Sequence, residues 1–533
     1  MGSVEAEDLT GEGRAPLPSS PIGRARHLHR AYPIALFAVY LMARVAVLRH
    51  LDAPTFGWRP TDLAGIAINY YRNGFHFAYP QVMWGGAGPG YVEMEFPLQV
   101  YVTALLFKVF GLHDWLCLVL PLTWGLGLVW VIYEFGRYLF GEVAGLAAGA
   151  IAALSPTLAY ITTTGLWPDP PMVFFGTLGV YLVTRWTEER RASQLWLGAL
   201  SVSLAILLKL TALYLGVPIA YLFIKRYGRG LLKQSATWLT ALVVLAPATL
   251  WYAHGYRLYV QYGNTFGIIG AGYLKFPNAE MLTDVSLYKR ALSRIALYHL
   301  TPLGFLAFIY GLYVALRRKI VIALVLLGSV VLHTFVVWGG VRYLGHIGYL
   351  LPIIPACSLL GGLGVQALSE RTRSWRVLRA RPSARLFALA AAVVLVGLNA
   401  LGAAHRFETW DLAFESAVWQ QKKTTGLRVH EMTRPGSLII VVDDQMDTVD
   451  QKHSMTPPDV FFFGDRRGWY LSLAWLSIPK IERMRREGAE YFVVSAQSVE
   501  KFEADHTTIY QYLTSHFRQV TDQGGLIFAL REG

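Results

Sequence analysis

The sequence predicts a polytopic α-helical membrane protein with a soluble α/β domain at its C-terminal end. Of the 533 residues, 54% are hydrophobic and 16% are charged, whereas an ordinary soluble domain has about 25% charged residues. The apolar residues are concentrated in runs of the length that crosses a hydrocarbon core of roughly 30 Å. From residue 403 onward, short strand-like runs alternate with helical stretches instead.

Eleven apolar runs are predicted to cross the membrane. They lie near residues 31–49, 115–133, 143–161, 170–186, 194–208, 211–224, 234–252, 301–316, 320–338, 347–368 and 385–402. Residues 1–30 are polar and are predicted to form a cytoplasmic tail. Residues 31–402 would then form a transmembrane domain, and residues 403–533 a separate domain.

A twelfth apolar run, residues 97–110, is predicted to lie along the membrane surface. As a helix it would reach roughly 21 Å, which is short of the hydrocarbon core. If it does not cross, every compact basic loop, from Arg137 to the run 371–385, lies on the side of the basic N-terminal tail. The positive-inside rule makes that side cytoplasmic and places residues 403–533 outside. Because these loops hold most of the net charge of +13, we expect no nucleic-acid partner.

A second surface helix is predicted in "RPTDLAGIAINYYRNG", residues 59–74. Its apolar residues recur at the spacing of one helix face, namely Leu63, Ile66, Ala67, Tyr70 and Tyr71. This helix and 97–110 belong to a predicted external loop, residues 50–112. Asp62 stands near the start of the helix, where a carboxylate caps free N–H groups or has a function of its own.

The C-terminal domain is predicted to be α/β or α+β. Its strand-like runs are "SLIIVVDD", "DVFFFG", "EYFVVSA" and "GLIFAL", and the stretches 474–487 and 499–515 are helical in pattern.

Acidic side chains from two separate loops are predicted to meet at the external face. Asp62, Glu93 and Glu95 lie in loop 50–112, and Asp169 lies at the external end of the third span. Each acid alone is more simply explained as a helix cap, and Pro170 and Pro171 suit a first helical turn. Their convergence near the membrane, where ionisable groups are costly, favours a site.

Cationic groups are predicted at the same face. Lys209 follows the fifth span, and Arg342 and His346 lie at the external end of a later one. Snorkelling of Lys209 and interfacial anchoring by Arg342 are the simpler explanations. Acids beside cations also suit a substrate with a hydroxyl to deprotonate and a phosphate to bind.

Several short motifs, taken in order, resemble one superfamily. They are "EFPL", "GLHDW", "GRYLFG", "LWPDPP", "LLKLTA" and "RYLGHIGYLLPIIP", and they follow an acidic residue near the start of the first-loop helix. In this order they look like the GT-C glycosyltransferases that include the protein O-mannosyltransferases and the aminoarabinose–lipid A transferases. The resemblance covers roughly residues 30–370.

The resemblance implies an inverting transfer of a sugar from a polyprenyl-phosphate carrier to an acceptor hydroxyl at the external face. It makes Asp62 the general base, matches Glu95 and Asp169 to further site carboxylates, and assigns Lys209 to the carrier phosphate. Arg342 and His346 are added to the predicted phosphate site. In the aminoarabinose transferases a Lys follows the matching Glu, whereas Phe96 stands here.

Other interpretations stay open at this point. A lipid-linked sugar flippase or transporter also has many spans. An oligosaccharyltransferase or glycan polymerase is a rival among enzymes, although the W-W-D-Y-G signature of the former is absent. The acceptor is a glycan, a lipid or a protein. No cofactor is required for the chemistry, although a divalent metal stays open if Asp62, Glu95 and Asp169 approach one another. A plasma membrane is the expected location.

Overall fold

The computed structural model describes residues 25–48, 57–269, 276–344, 347–373, 399, 402, 412–444 and 457–531. Its N-terminal two thirds form a helical bundle. In chain order the helices are α1 (Ala25–Leu48), α2 (Trp58–Asn73), α3 (Leu98–Phe110), α4 (Leu116–Phe140), α5 (Glu142–Ala153), α6 (Pro156–Thr163), α7 (Asp169–Glu189), α8 (Ala192–Leu208), α9 (Gly216–Tyr227), α10 (Ser235–Tyr262), α11 (Ala279–Thr283), α12 (Val285–Arg294), α13 (Thr301–Arg317), α14 (Val321–Val336), α15 (Trp338–Leu344) and α16 (Ile353–Arg373).

Each predicted span within the described ranges coincides with helical residues, whereas the span 385–402 lies almost wholly outside them. Within those ranges, α4, α10 and most of α16 are long and apolar enough to cross a membrane, and two bent helix pairs bring the number to five at most. The predicted total of eleven spans therefore stays a prediction.

One of the bent pairs is α5 and α6, which meet at 55°. Pro156 begins α6, and the side chain of Ser155 accepts a hydrogen bond from the Leu158 N–H at 3.3 Å. A proline cannot continue the hydrogen bonding of α5, and a capping serine favours a new start. The sequence Ser-Pro therefore divides the predicted span 143–161 into two helices.

The two predicted surface helices both form, and they pack against each other. Tyr70 of α2 meets Tyr101 of α3 edge to face, with ring centroids 5.3 Å apart. Tyr71 and Phe107 also meet edge to face, with ring centroids 6.5 Å apart. Helix α3 has 13 residues and spans about 20 Å at about 1.5 Å per residue. That length agrees with the expected surface helix, although its position in a membrane stays a prediction.

A short parallel pair, β1 (Val92–Glu93) with β2 (Asn264–Thr265), joins the first loop to the loop after α10.

Residues 412–531, called here the C-terminal segment, contain a mixed five-stranded sheet. Its strands are β3 (Leu438–Asp443), β4 (Arg467–Ser472), β5 (Ala489–Ser495), β6 (Arg518–Thr521) and β7 (Gly525–Ala529), in the order β4-β3-β5-β7-β6. Strands β4, β3 and β5 are parallel to one another, and β7 is antiparallel to β5 and β6. The helices of this segment are α17 (Leu412–Met432), α18 (Asp459–Gly464), α19 (Ile478–Arg486), α20 (Val499–Asp505) and α21 (Thr507–His516).

The prediction of a strand at "DVFFFG" is wrong, because residues 459–464 form the helix α18. A short apolar run is compatible with either structure. Here Pro458 immediately precedes the run at the helix N-cap position, and the fixed φ of proline favours the start of a helix. The neighbouring stretch "RGWYLS", which was not predicted to be a strand, forms the edge strand β4.

The C-terminal segment packs against the first loop. Leu63 of α2 and Val82 share one hydrophobic core with Val441, Val460 and Phe461. The backbone N–H of Gly86 donates to the Gly468 carbonyl at 2.7 Å, and the Gly468 N–H donates to Met83 at 3.0 Å. A side chain at Gly86 would lie 2.7 Å from the indole nitrogen of Trp469. The close approach of the two chains therefore requires glycine at residue 86.

Candidate active site

A cavity of about 430 Å³ opens where α7, α8 and α14 meet the first loop. Most of its wall is apolar, and this part includes Leu213, Val217, Phe276, Leu332 and Val336. Four charged side chains also line the cavity, namely Arg59, Glu95, Asp169 and Lys209. The cavity thus combines an apolar surface with a charged region, here called the charged end. Three of the sequence-predicted site residues, Glu95, Asp169 and Lys209, meet in it.

Asp169 and Lys209 form an ion pair, with Lys209 Nζ 2.6 Å from Asp169 Oδ1. Asp169 is the first residue of α7, and Lys209 directly follows α8 in extended conformation. Tyr349 places its ring 4.4 Å from Lys209 Nζ. A side chain at Gly348 would lie 3.0 Å from the Asp169 carboxyl carbon, so a glycine allows the backbone to approach the pair. Asp169 is therefore more than a helix cap.

Glu95 forms a second ion pair in the charged end. Arg59 Nη2 lies 2.5 Å from Glu95 Oε2, and both residues are largely buried. The next residue, Phe96, donates its backbone N–H to the Leu207 carbonyl at 3.1 Å. Because Leu207 is two residues before Lys209, this bond brings the two ion pairs to the same cavity. The guanidinium of Arg59 also stacks on Phe266, 4.1 Å from the ring centroid.

Sequence reasoning missed Arg59. It stands in the stretch that was singled out, one helical turn before Asp62. The sequence feature that could have indicated it was its position on a predicted surface helix that also carries a candidate carboxylate. Its partner is 36 residues away in the chain, and no sequence pattern indicated that pairing.

Asp62 does not line the cavity, and 2% of its surface is exposed. The indole N–H of Trp84 donates to Asp62 Oδ1 at 3.0 Å. Among the described residues, Oδ2 has no hydrogen-bond partner. Burial raises the pKa of Asp62 to about 8, against the opposing effects of the Trp84 bond and the Arg59 charge. The protonated form of Asp62 is therefore favoured at neutral pH, and its Oδ2 is buried.

Two residues close to Glu95 in the chain, Glu93 and Phe96, do not line the cavity. Glu93 is fully buried and binds the loop after β2, accepting hydrogen bonds from the Thr265 hydroxyl and, at 2.9 Å, from the Ile269 N–H. Phe96 packs its ring against Phe77 and Trp251, with centroids 5.1 and 5.2 Å away. Glu93 is thus structural, and the residue at the position of the family's lysine belongs to an aromatic cluster.

The remaining predicted residues stay predictions. Arg342 lies in α15, its side chain outside the described part, and His346 lies outside the described residues. Across the described ranges, no three His, Cys, Asp or Glu side chains are grouped as metal ligands. Glu95 and Asp169 each face a cation instead.

Comparison with known proteins gives matches of two kinds. Residues 95–252 match the family model described as dolichyl-phosphate-mannose-protein mannosyltransferase. A stretch of 166 residues is 25% identical to YycA of Bacillus subtilis, whose name ascribes to it a mannosyltransferase activity; it covers 31% of this chain and 24% of that protein. The chain thus spans about a quarter of the length of this curated relative.

Solved structures match over most of the chain. ArnT from Cupriavidus metallidurans, in the apo state, has a TM-score of 0.65 with 15% identity, over 95% of this chain and 98% of that chain. The same protein bound to undecaprenyl phosphate has a TM-score of 0.62. The oligosaccharyltransferase of Archaeoglobus fulgidus has a TM-score of 0.50 with 12% identity, over 86% of this chain and 69% of that chain. The family match over residues 95–252 and the ArnT-like fold together support the similarity to GT-C membrane glycosyltransferases that the sequence motifs indicated.

Proposed function

We propose that the protein transfers a sugar from a polyprenyl-phosphate carrier to an acceptor hydroxyl at the external face of the plasma membrane. The observation that carries this proposal is the cavity, whose wall is largely apolar and whose charged end holds two buried ion pairs. A polyprenyl phosphate has the matching composition, an apolar chain and an anionic head. The similar ArnT structure that contains undecaprenyl phosphate supports this ligand class.

The charged end suits a phosphate ester. Lys209 has three N–H donors, and Asp169 uses one of them. Arg59 has a planar fork of donors, of which Glu95 engages Nη2. The remaining donors of both cations stabilise the charge that develops on the leaving phosphate. We propose Arg342 and His346 as further phosphate contacts.

In the proposed reaction the acceptor oxygen attacks the anomeric carbon from the side opposite the phosphate, which inverts the configuration. The bond between that carbon and the phosphate oxygen breaks, and the oxygen leaves with the electron pair as part of the carrier phosphate. Asp62, once ionised, takes the proton of the acceptor hydroxyl. Glu95 and Asp169 hold the two cations in position.

The domain arrangement belongs to the same proposal. Residues 1–30 form a cytoplasmic tail, residues 31–402 the transmembrane catalytic domain, and residues 403–533 an external α/β domain. The two surface helices α2 and α3 lie in the external loop 50–112. This arrangement puts the charged end at the membrane face where the predicted acidic and cationic residues meet.

A sugar-carrier transporter is the main alternative. Transporters usually place discontinuous helices and ionisable groups near the bilayer midplane. One ion pair here joins the ends of α7 and α8, and the other lies within the first loop. That position favours chemistry at one face over passage across the membrane. A glycan polymerase would differ only in its acceptor.

The test measures whether a radiolabelled sugar leaves its polyprenyl-phosphate carrier. Protein in liposomes is given a polyprenyl phosphate carrying a radiolabelled sugar, with membrane extract as a source of acceptors. We expect the label to leave the carrier and to appear on an acceptor, in the wild type and in the Lys225→Met control, whose lysine is exposed and pairs with Glu188. Label that stays on the carrier while changing leaflet would show a transporter and refute the transferase.

A further inference from the structure

We propose that Asp459, in the C-terminal segment, is a positioning residue that keeps a proton on Asp62. The contact runs between α18 and α2, so a helix far along the chain controls when Asp62 can act as a base. This inference deepens the proposed function and rests on it only for the role of Asp62 in transfer.

Helix α18 lies against α2 along its length. At one end, the side chain of Asp459 lies beside that of Thr61, the residue before Asp62. At the other end, Asp465 accepts two hydrogen bonds from Arg72, at 2.5 and 3.1 Å. Between these ends, Val460 and Phe461 are packed in the core that also holds Leu63. The alignment puts the carboxyl groups of Asp62 and Asp459 on facing helices.

Both carboxyl groups are deeply buried, and each has an unpartnered oxygen. Asp62 is 2% exposed and Asp459 is 3% exposed. Among the described residues, neither Asp62 Oδ2 nor Asp459 Oδ1 has a hydrogen-bond partner. Two buried carboxylates, each with one unpartnered oxygen, cannot both be charged at low cost.

The nearby cations already have partners. Arg59 is paired with Glu95 at 2.5 Å, and the buried Lys422 is paired with Asp443 at 3.1 Å. Each pair is neutral as a unit, so neither cation fully compensates a second carboxylate. Asp62 and Asp459 are thus two acids with no cation of their own.

Two groups beside Asp459 favour its ionised form. Burial raises the pKa of Asp459 and the neighbouring Asp443 adds to the increase, whereas Lys422 and the hydroxyl of Thr61 oppose it. Lys422 and Thr61 therefore favour the negatively charged form of Asp459, which is the form that acts on Asp62.

An ionised Asp459 can only raise the pKa of Asp62. Any negative charge on Asp459 raises the pKa of Asp62 further, because it makes ionisation of a second carboxyl group less favourable. Replacing Asp459 by a neutral residue removes this effect. The base would then form at lower pH.

The experiment reads the protonation of Asp62 directly. Fluorotryptophan is placed at residue 84, whose indole N–H donates to Asp62, and its ¹⁹F signal is recorded against pH. We expect a transition near pH 8 in the full-length wild type, a transition at lower pH in Asp459→Asn, and none in Asp62→Asn. Asp459→Leu is a second neutral variant should the amide disturb folding, and Asp459→Glu should keep the high midpoint.

The matched control is Asp465→Asn, which removes a carboxylate from the same helix contact at its exposed end. Its midpoint should equal that of the wild type. A midpoint unchanged in both neutral Asp459 variants would refute the inference. The pH profile of sugar transfer is measured in parallel and should move to lower pH with Asp459→Asn. If the wild type transfers no sugar but the ¹⁹F midpoints shift, the proposed function fails and the coupling stands.

Discussion

Asp169 and Lys209 form an ion pair that is largely shielded from water, and this burial determines what a single substitution there would reveal. Removing one partner of a buried pair leaves an uncompensated charge, at a cost of about 3–5 kcal/mol. A loss of activity in Lys209→Met alone would therefore mix lost phosphate binding with lost stability. The pair has to be changed together.

The double variant Asp169→Asn/Lys209→Met should fold and should bind the carrier more weakly. Charge-assisted hydrogen bonds contribute about 1.5–3 kcal/mol, so we expect the Kd for polyprenyl phosphate to rise by roughly 10- to 150-fold. Carrier binding and thermal unfolding are measured for the double variant and for Asp169→Asn alone. Equal affinity in the wild type and the stably folded double variant would show that Lys209 does not contact the phosphate.

The variant Asp62→Asn tests whether the carboxyl group of Asp62 acts as a base or has only a structural role. Asparagine keeps an acceptor oxygen for the Trp84 indole but cannot take a proton, so transfer should fall about 100- to 10,000-fold. Stability should be retained, because residue 62 then has no buried carboxyl group that can ionise. The transfer rate and the unfolding temperature are measured together. Full activity in a folded variant would assign the base to another group, with Asp169 the next candidate.

Residue type and position were sufficient to predict part of the site. Glu95, Asp169 and Lys209 were found because each is charged and stands beside an apolar run, and the structure brings them to one cavity. Arg59 was missed because its function depends on Glu95, which only the fold brings near. Asp459 was missed because its significance arises from a neighbour almost 400 positions earlier.

At the scale of elements, long periodic stretches were predicted well, and three of the four runs predicted as strands in the C-terminal segment are strands, whereas "DVFFFG" is not. Helices α2 and α3 follow from the apolar spacing in 59–74 and from the length of 97–110. Helix α18 was predicted as a strand, since six apolar-rich residues show no period that favours either structure. Its docking on α2 depends on tertiary packing that no local pattern records.

The contact of α18 with α2 should depend on apolar packing more than on its surface ion pair. Phe461 is fully buried in the shared core, and Phe→Ala changes in cores cost about 3–5 kcal/mol. The Arg72–Asp465 pair is exposed, and such pairs contribute about 0–1 kcal/mol. We therefore expect Phe461→Ala to lower the unfolding temperature markedly and Asp465→Asn to leave it nearly unchanged.

Thermal unfolding and limited proteolysis of the full-length variants measure this difference. In Phe461→Ala, proteolysis should become faster in the C-terminal segment first. A larger loss of stability in Asp465→Asn than in Phe461→Ala would contradict the assignment of the contact to apolar packing.

At the scale of the whole molecule, the proposed topology puts the loop at Arg229 inside and the C-terminal segment outside. Both Arg229 and Glu503 are exposed, whereas the native Cys117 and Cys357 are buried. A membrane-impermeant thiol reagent should label Glu503→Cys in intact cells, and should label Arg229→Cys only after permeabilisation. Labelling of Arg229→Cys in intact cells would mean that residues 97–110 cross the membrane.

The most direct test of the central claim is the structure of the full-length protein with polyprenyl phosphate bound. We predict that the phosphate lies at the charged end, within hydrogen-bond distance of Lys209 and Arg59, and that the prenyl chain follows the apolar wall at Leu213 and Leu332. A phosphate bound elsewhere, with the charged end unchanged and both ion pairs intact, would contradict the assignment of this cavity to the donor.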